Sequence, residues 1–200
     1  DDGADSDADS AGRGGAMSFL PGFAPAQTLA DEHDGEGDSW FTPRRILLAA
    51  YRAMGDINLD PCGHPDSPAW LYARRSYCLQ DGQDGLELPW DAQSIWVNPP
   101  YSDVAPWLNR CRIAASEGKG VIAMIPTRPE TRAWRKHIFD DGAYVIQQTG
   151  RIKFVGADGQ THGNGMITTC FVAWHEQIAL NLREELAAEG IVSAVLKVMA

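Results

Sequence analysis

The chain has 200 residues, 44% hydrophobic and 22% charged, an ordinary globular composition that excludes a wholly disordered protein. No run approaches the ~18 apolar residues of a membrane-spanning helix, and no basic, apolar leader opens the chain, so a cytoplasmic protein is expected. The net charge of −10 sits almost entirely in residues 1–38, which hold ten of the 27 Asp and Glu but only one of the 17 Lys and Arg. The remainder is nearly neutral, so its acidity does not argue against a polyanionic partner.

Residues 1–38 are rich in Asp, Gly, Ala and Ser, and read as an acidic, disordered tail before a domain spanning 39–200. Its apolar cluster, Met17–Phe23, belongs to that tail or docks as a strand. Thr42-Pro43 then places a hydroxyl cap before Pro at the first turn, which predicts a helix over Arg44–Met54. Ile57–Asp60 predicts a short buried strand ended by Pro61, and Trp70–Leu79 a weaker one. Ser94–Val97 is a strand that runs straight into Asn98-Pro99-Pro100-Tyr101. Val104–Ser116 is a helix with Trp107, Leu108, Cys111 and Ala115 on one face. Val121–Ile125 is a strand, Thr131–Phe139 a short helix, and Tyr144–Gln148 and Ile152–Val155 are strands. Asp158-Gly159 signals a hairpin turn before a strand at Met166–Trp174. Glu176–Ala188 is an amphipathic helix, with another helix expected from Val192.

Strands alternating with helices, each apolar enough to be covered on both faces, indicate an α/β fold with a mostly parallel, doubly wound sheet. The last hairpin adds an antiparallel edge. Ligands of such sheets sit beyond the carboxyl ends of the strands, so Asp60 and Asn98 are expected at one mouth. The four cysteines, Cys62, Cys78, Cys111 and Cys170, are scattered and read as reduced thiols. His64 with Cys62 and Cys78 matches no standard zinc spacing, and no metal is expected.

Asn98-Pro99-Pro100-Tyr101 is the sharpest chemical signal. Two prolines fix two backbone torsions and remove two N–H donors, leaving carbonyl acceptors without competing donors. Asn98 adds a side-chain acceptor and Tyr101 a flat ring. Together they suit a planar molecule bearing an NH2 group, held by Asn98 and the Pro99 carbonyl and stacked on Tyr101. The bland alternative is a Pro-Pro stop to a strand.

The landmarks Trp40-Phe41-Thr42-Pro43, Leu59-Asp60-Pro61-Cys62, Asp84-Gly85-Leu86 with Trp90, Asn98-Pro99-Pro100-Tyr101 and Gly150-Arg151-Ile152-Lys153-Phe154 occur in one order. In these the chain resembles the phage-type DNA N6-adenine methyltransferases. The resemblance implies a Rossmann-like sheet dependent on S-adenosylmethionine (AdoMet). It implies Trp40, Thr42, Pro43, Asp60, Pro61 and Asp84 as cofactor contacts, and Asn98, Pro99, Pro100 and Tyr101 as the catalytic motif. It also implies a DNA adenine as substrate and a role in shielding phage or prophage DNA from host nucleases. One departure is that Cys62-Gly63-His64-Pro65 stands where many amino-methyltransferases continue with Gly-x-Gly. An adenine in a duplex cannot reach such a cleft, so the base is expected to flip out. Arg128, Arg132 and Arg135, at helical spacings, with Arg151 and Lys153, are expected to contact phosphates; the alternative is a solvated cationic helix. The motif also fits methylation of another planar group, on protein glutamine or RNA guanine, and the altered loop after Asp60 motivates a further alternative, a non-catalytic nucleic-acid-binding remnant of the fold.

Overall fold

Thr42-Pro43 sets the entrance of the first helix, though not by the expected cap. In the structure, a computed structural model describing residues 41–156 and 167–197, α1 spans Arg44–Met54 with Pro43 as its N-cap and no side-chain cap. The Pro43 carbonyl takes the first helical bonds from the N–H groups of Ile46 and Leu47, at 2.9 and 3.2 Å. Thr42 is thereby freed, and its side chain is turned inward, 2% exposed. Gly55, at φ +77°, ends the helix and donates to the Arg52 carbonyl, a left-handed conformation that glycine adopts without steric cost.

The next strand is shifted from the expected Ile57–Asp60. Ile57 and Leu59 make isolated parallel bridges to Ala73 and Ile95, and the ladder proper, β1, is Asp60–Gly63. Pro61 therefore lies inside the strand and does not end it. The register explains how: Asp60 faces Ser76 and Gly63 faces Cys78 of β2 (Ser76–Cys78), so one extra residue bulges from β1. A bulge is where a strand tolerates a residue with no N–H. The expected strand over Trp70–Leu79 is broken by a 3-10 turn at Pro68–Leu71, capped by Ser67, before β2 begins.

β3 (Ser94–Val97), α2 (Ala105–Ser116) and β4 (Gly120–Pro126) follow as predicted, within a residue or so of the expected ends. The expected helix at Thr131–Phe139 is a three-residue α3 (Arg132–Trp134) that passes into a π-helical turn, Arg135–Phe139. Arg128 precedes it, so Arg128, Arg132 and Arg135 do not share a helix face. β5 (Tyr144–Gln148) and α4 (Glu176–Ala188) match their predicted bounds, and β6 (Thr169–Ala173) lies inside the predicted Met166–Trp174.

Two expectations fail nearby. Ile152–Val155 is not a ladder strand: Val155 makes an antiparallel bridge with Phe41, with N–H···O distances of 2.8 and 3.0 Å, and does not pair with β6. Ile152 and Phe154 are nevertheless both buried, which is the alternation that imitates a strand in sequence. The Asp158-Gly159 turn and Met166 lie outside the described residues, as do Trp40 and the acidic tail. The helix expected from Val192 is instead β7 (Ser193–Lys197), antiparallel to β5. The open edge of β5 offers a hydrogen-bonding template that outweighs weak local helix propensity.

The five-stranded sheet runs β3-β4-β6-β5-β7. β3 and β4 are parallel, β6 is antiparallel to both β4 and β5, and β7 is antiparallel to β5. The parallel Leu59–Ile95 bridge sets β1 beside β3. β1 to β5 thus share one direction while β6 and β7 oppose it, so the fold is a mixed α/β sheet with its antiparallel part where the expected hairpin did not place it.

Side chains alternate between two buried layers. Trp96, Ile122, Met124 and Phe171 face α1 and α4, whereas Val97, Val121, Ile125 and Val172 face α2 and the π turn. Helices therefore cover both faces. Ile46, Leu47 and Leu182, all 0% exposed, each contribute about 1.5–3 kcal/mol to the first layer. The Arg52 pairs with Glu185 and Glu189 across α1 and α4 are half exposed and add little. No helix among the described residues is long and apolar enough to cross a membrane.

Candidate active site

The carboxyl ends of β1 and β3 open on a cavity of about 390 Å³. Asp60, Pro61, Cys62 and Gly63 form one wall from the bulged strand. Asn98, Pro99, Pro100 and Tyr101 form another beyond β3. Phe41 and Thr42 enter from before α1, and Asp84 and Gly85 from the loop after β2, with Trp96 and Trp107 among the remaining lining. Sequence reasoning thus named eight residues that the fold brings together here: Thr42, Asp60, Pro61, Asp84, Asn98, Pro99, Pro100 and Tyr101. Pro43 is not among the lining; it holds the helix start behind Thr42.

The Asp84 loop is pinned from several sides. Asp84 Oδ1 accepts the Leu86 N–H at 2.8 Å, closing the turn on itself. Trp90 Nε1 donates to the Gly85 carbonyl at 2.8 Å. Arg110 from α2 donates to the Leu86 and Leu88 carbonyls at 3.0 and 2.5 Å and lies over the Trp90 ring at 5.0 Å. The Asp84-Gly85-Leu86…Trp90 landmark is therefore a fixed shelf that presents Asp84 to the cavity. Gly85 is required by contact: a Cβ there would lie 1.9 Å from the Pro61 carbonyl oxygen.

Asp60 is 3% exposed, and burial pushes its carboxyl up from 3.8 to about 7, opposed by a hydrogen bond from the Cys62 N–H at 2.9 Å. Between those values the folded state holds a proton that the unfolded chain has lost. The stability from this group is complete below pH 3.8 and disappears as pH rises through about 7. Wild-type protein should therefore lose about 3 kcal/mol between pH 5 and pH 8 from this group alone. Asp60→Asn, which still accepts the Cys62 N–H, should remove that loss; urea titrations at the two pH values would show it, and equal losses in both proteins would refute it.

The Cys62 thiol is pushed well up by burial, then by Asp60 and Cys111, so it is no nucleophile. Burial, then Cys170, likewise pushes the Tyr101 phenol up, which keeps it neutral. Its ring meets Phe154 edge-on at 6.1 Å and 81°. Phe154, from the Gly150–Phe154 landmark, supports Tyr101, a role that its sequence position alone did not reveal.

Asn98 Oδ1 and the Tyr101 hydroxyl are buried and have no hydrogen-bond partner among the described residues. Buried polar atoms are rarely left so, and an orphaned acceptor beside a cavity marks a place where a ligand donor completes the set. The following Pro99 and Pro100 contribute no N–H to compete. The site is therefore an acceptor-rich wall suited to an NH2 group.

A second cavity of about 170 Å³ shares Tyr101 with the first and is lined also by Asp103, Arg128, Thr131 and Trp134. Of the predicted phosphate contacts, Arg128 lines this cavity. Arg132, Arg135, Arg151 and Lys153 are exposed, and Arg135 lies 3.8 Å from Asp140. Phe41, His64, Trp96 and Trp107 also line the larger cavity. Phe41 stands in the first sequence landmark, whereas Trp96 and Trp107 read in sequence as strand and helix-face positions.

Residues 30–190 match the protein family described as DNA N-6-adenine-methyltransferase (Dam). Among curated proteins, none matches the chain. The match covers most of the chain and every described wall of the cavity, and the chain belongs to that family.

Proposed function

We propose that this member of the DNA N-6-adenine-methyltransferase family uses AdoMet to methylate N6 of an adenine flipped out of DNA at a short target site. The orphaned Asn98 Oδ1 at the cavity wall carries this reading. The strands of common direction, with the cavity at their carboxyl ends, support a Rossmann-like, AdoMet-binding form of the fold.

The residues present fit that cofactor. Among the described residues, two carboxyl groups, Asp60 and Asp84, and no Lys or Arg line the cavity, which suits a molecule with ammonium and sulfonium charges and disfavours one carrying phosphates. Phe41 and Tyr101 offer ring faces to a cation. A volume of about 390 Å³ falls in the range of small-molecule sites. When bound, AdoMet supplies an electrophilic methyl group on sulfur.

The chain's own residues supply position and charge. Asn98 Oδ1 and the Pro99 carbonyl accept the two N6 hydrogens, drawing the nitrogen lone pair out of conjugation and aiming it. Both acceptors stabilise positive charge as it develops on nitrogen. That nitrogen is acidic only after transfer, so no strong base is needed beforehand. The Tyr101 ring replaces part of the stacking that the flipped base loses. Methylation of adenines within recognition sites would block nucleases that read them.

Digestion of DNA after incubation with methyl-labelled AdoMet should release the label as N6-methyladenine. Label appearing only in protein or RNA would overturn the proposal. The exposed Arg128 and Lys153 are proposed phosphate contacts. Arg128→Ala and Lys153→Ala should each lower the slope of log affinity against log salt by about 1, with chemistry in the bound complex unchanged. Unchanged slopes would assign those cations to the solvated surface.

A further inference from the structure

His64 read in sequence as an ordinary loop residue, yet it lines the cavity beside the bulged strand. Its ring is held in place: it lies 4.9 Å from Phe41, tilted at 41°, and Nδ1 accepts the Asp66 N–H at 3.2 Å. The Asp66 carboxylate is 3.8 Å from the same nitrogen. With Nδ1 accepting, the neutral ring carries its proton on Nε2. Should the ring gain a second proton, Nδ1–H faces the Asp66 carboxylate and Nε2 keeps its own. Nε2 is therefore a donor in either state.

AdoMet carries one anionic group, the carboxylate of its amino-acid end. A carboxylate removed from water needs charge-assisted or multiple donors. Among the described residues the cavity is lined by no Lys or Arg, and Asp84, together with Asp60 when ionised, repels an anion. Among its neutral side chains, the Ser67 hydroxyl accepts from the Ala69 N–H at 3.2 Å and the Gln83 side-chain oxygen accepts from the Cys78 N–H at 3.3 Å. Among the described residues, His64 is the one lining side chain that can hold positive charge. We propose that His64 Nε2 binds the carboxylate of AdoMet and so positions the amino-acid end of the cofactor. This rests on the cofactor reading above.

The test compares AdoMet with decarboxylated AdoMet, which lacks only the carboxylate, by calorimetry on the full chain and on His64→Phe. The phenyl ring keeps the packing on Phe41 and removes both nitrogens; His64→Ala provides the same comparison should His64→Phe misfold. The preference for AdoMet over its decarboxylated form should fall about tenfold from wild type to variant. A preference that does not change, even if both ligands weaken together, overturns the His64 assignment and leaves cofactor binding intact. If neither ligand binds the wild type, the cofactor reading fails, and the His64 assignment fails with it.

Discussion

Asn98→Ala will slow methyl transfer about 10²–10³-fold, the usual cost of removing one preorganised hydrogen-bonding group from a reacting centre. AdoMet affinity should stay within about threefold, because the acceptor is aimed at the substrate amine. The two effects separate by measuring single-turnover transfer to DNA alongside calorimetric binding. Asn98 Oδ1 has no hydrogen-bond partner among the described residues, so its loss breaks no hydrogen bond of that oxygen and the fold should keep its melting temperature. Near-normal turnover would show that the amine is held by something else. A parallel loss of cofactor affinity would move Asn98 to the cofactor wall.

The second large effect is expected at Gly85, which has no chemistry of its own. A methyl group there meets the Pro61 carbonyl oxygen at 1.9 Å and its carbon at 2.8 Å. Both are backbone atoms of the bulged strand, so relief requires the shelf or the strand to move by more than an ångström. The shelf cannot move freely, because Trp90 holds the Gly85 carbonyl and Arg110 holds the next turn. Overpacking of this kind costs about 3 kcal/mol or more. For a chain of this size that corresponds to a fall in melting temperature of about 6–12 °C. Separation of Asp84 from the β1 wall should also weaken AdoMet binding about a hundredfold. A Gly85→Ala protein with unchanged melting and binding would mean that the shelf is looser than its contacts imply.

Much of this arrangement was legible from residue order because the signals were local. Ser94–Val97 carries four consecutive buried positions and Glu176–Ala188 a clear amphipathic stripe, so their bounds agree with the structure. Asp60 and Asn98 were found because each follows a strand, where the fold class says ligands gather; Pro99, Pro100 and Tyr101 came with the motif after Asn98, and Thr42, Pro61 and Asp84 through the family resemblance. The failures share a cause: each depends on a partner distant in sequence. Pro61 reads as a strand stop until β2 supplies a register with a bulge. Val192 onward reads as helix until the open side of β5 offers a ladder. Thr42 reads as a cap until Pro43 is seen to serve that role from its backbone. Ile152–Val155 has the right alternation, but its partner is Phe41, far upstream. His64 gave no signal alone, because what distinguishes it is the absence of other cations among the described residues lining the same cavity.

The extra residue in β1 has a consequence for how this protein can vary. Without it, Asp60–Gly63 and Ser76–Cys78 would pair regularly, with Gly63 still opposite Cys78. The resulting ladder would be tidier but would lose the bend and extra twist that the bulge gives the strand. Insertions elsewhere on the surface are free to come and go; a single deletion between residues 60 and 63 should leave a foldable domain whose carboxyl-end chamber has lost the curvature of one wall.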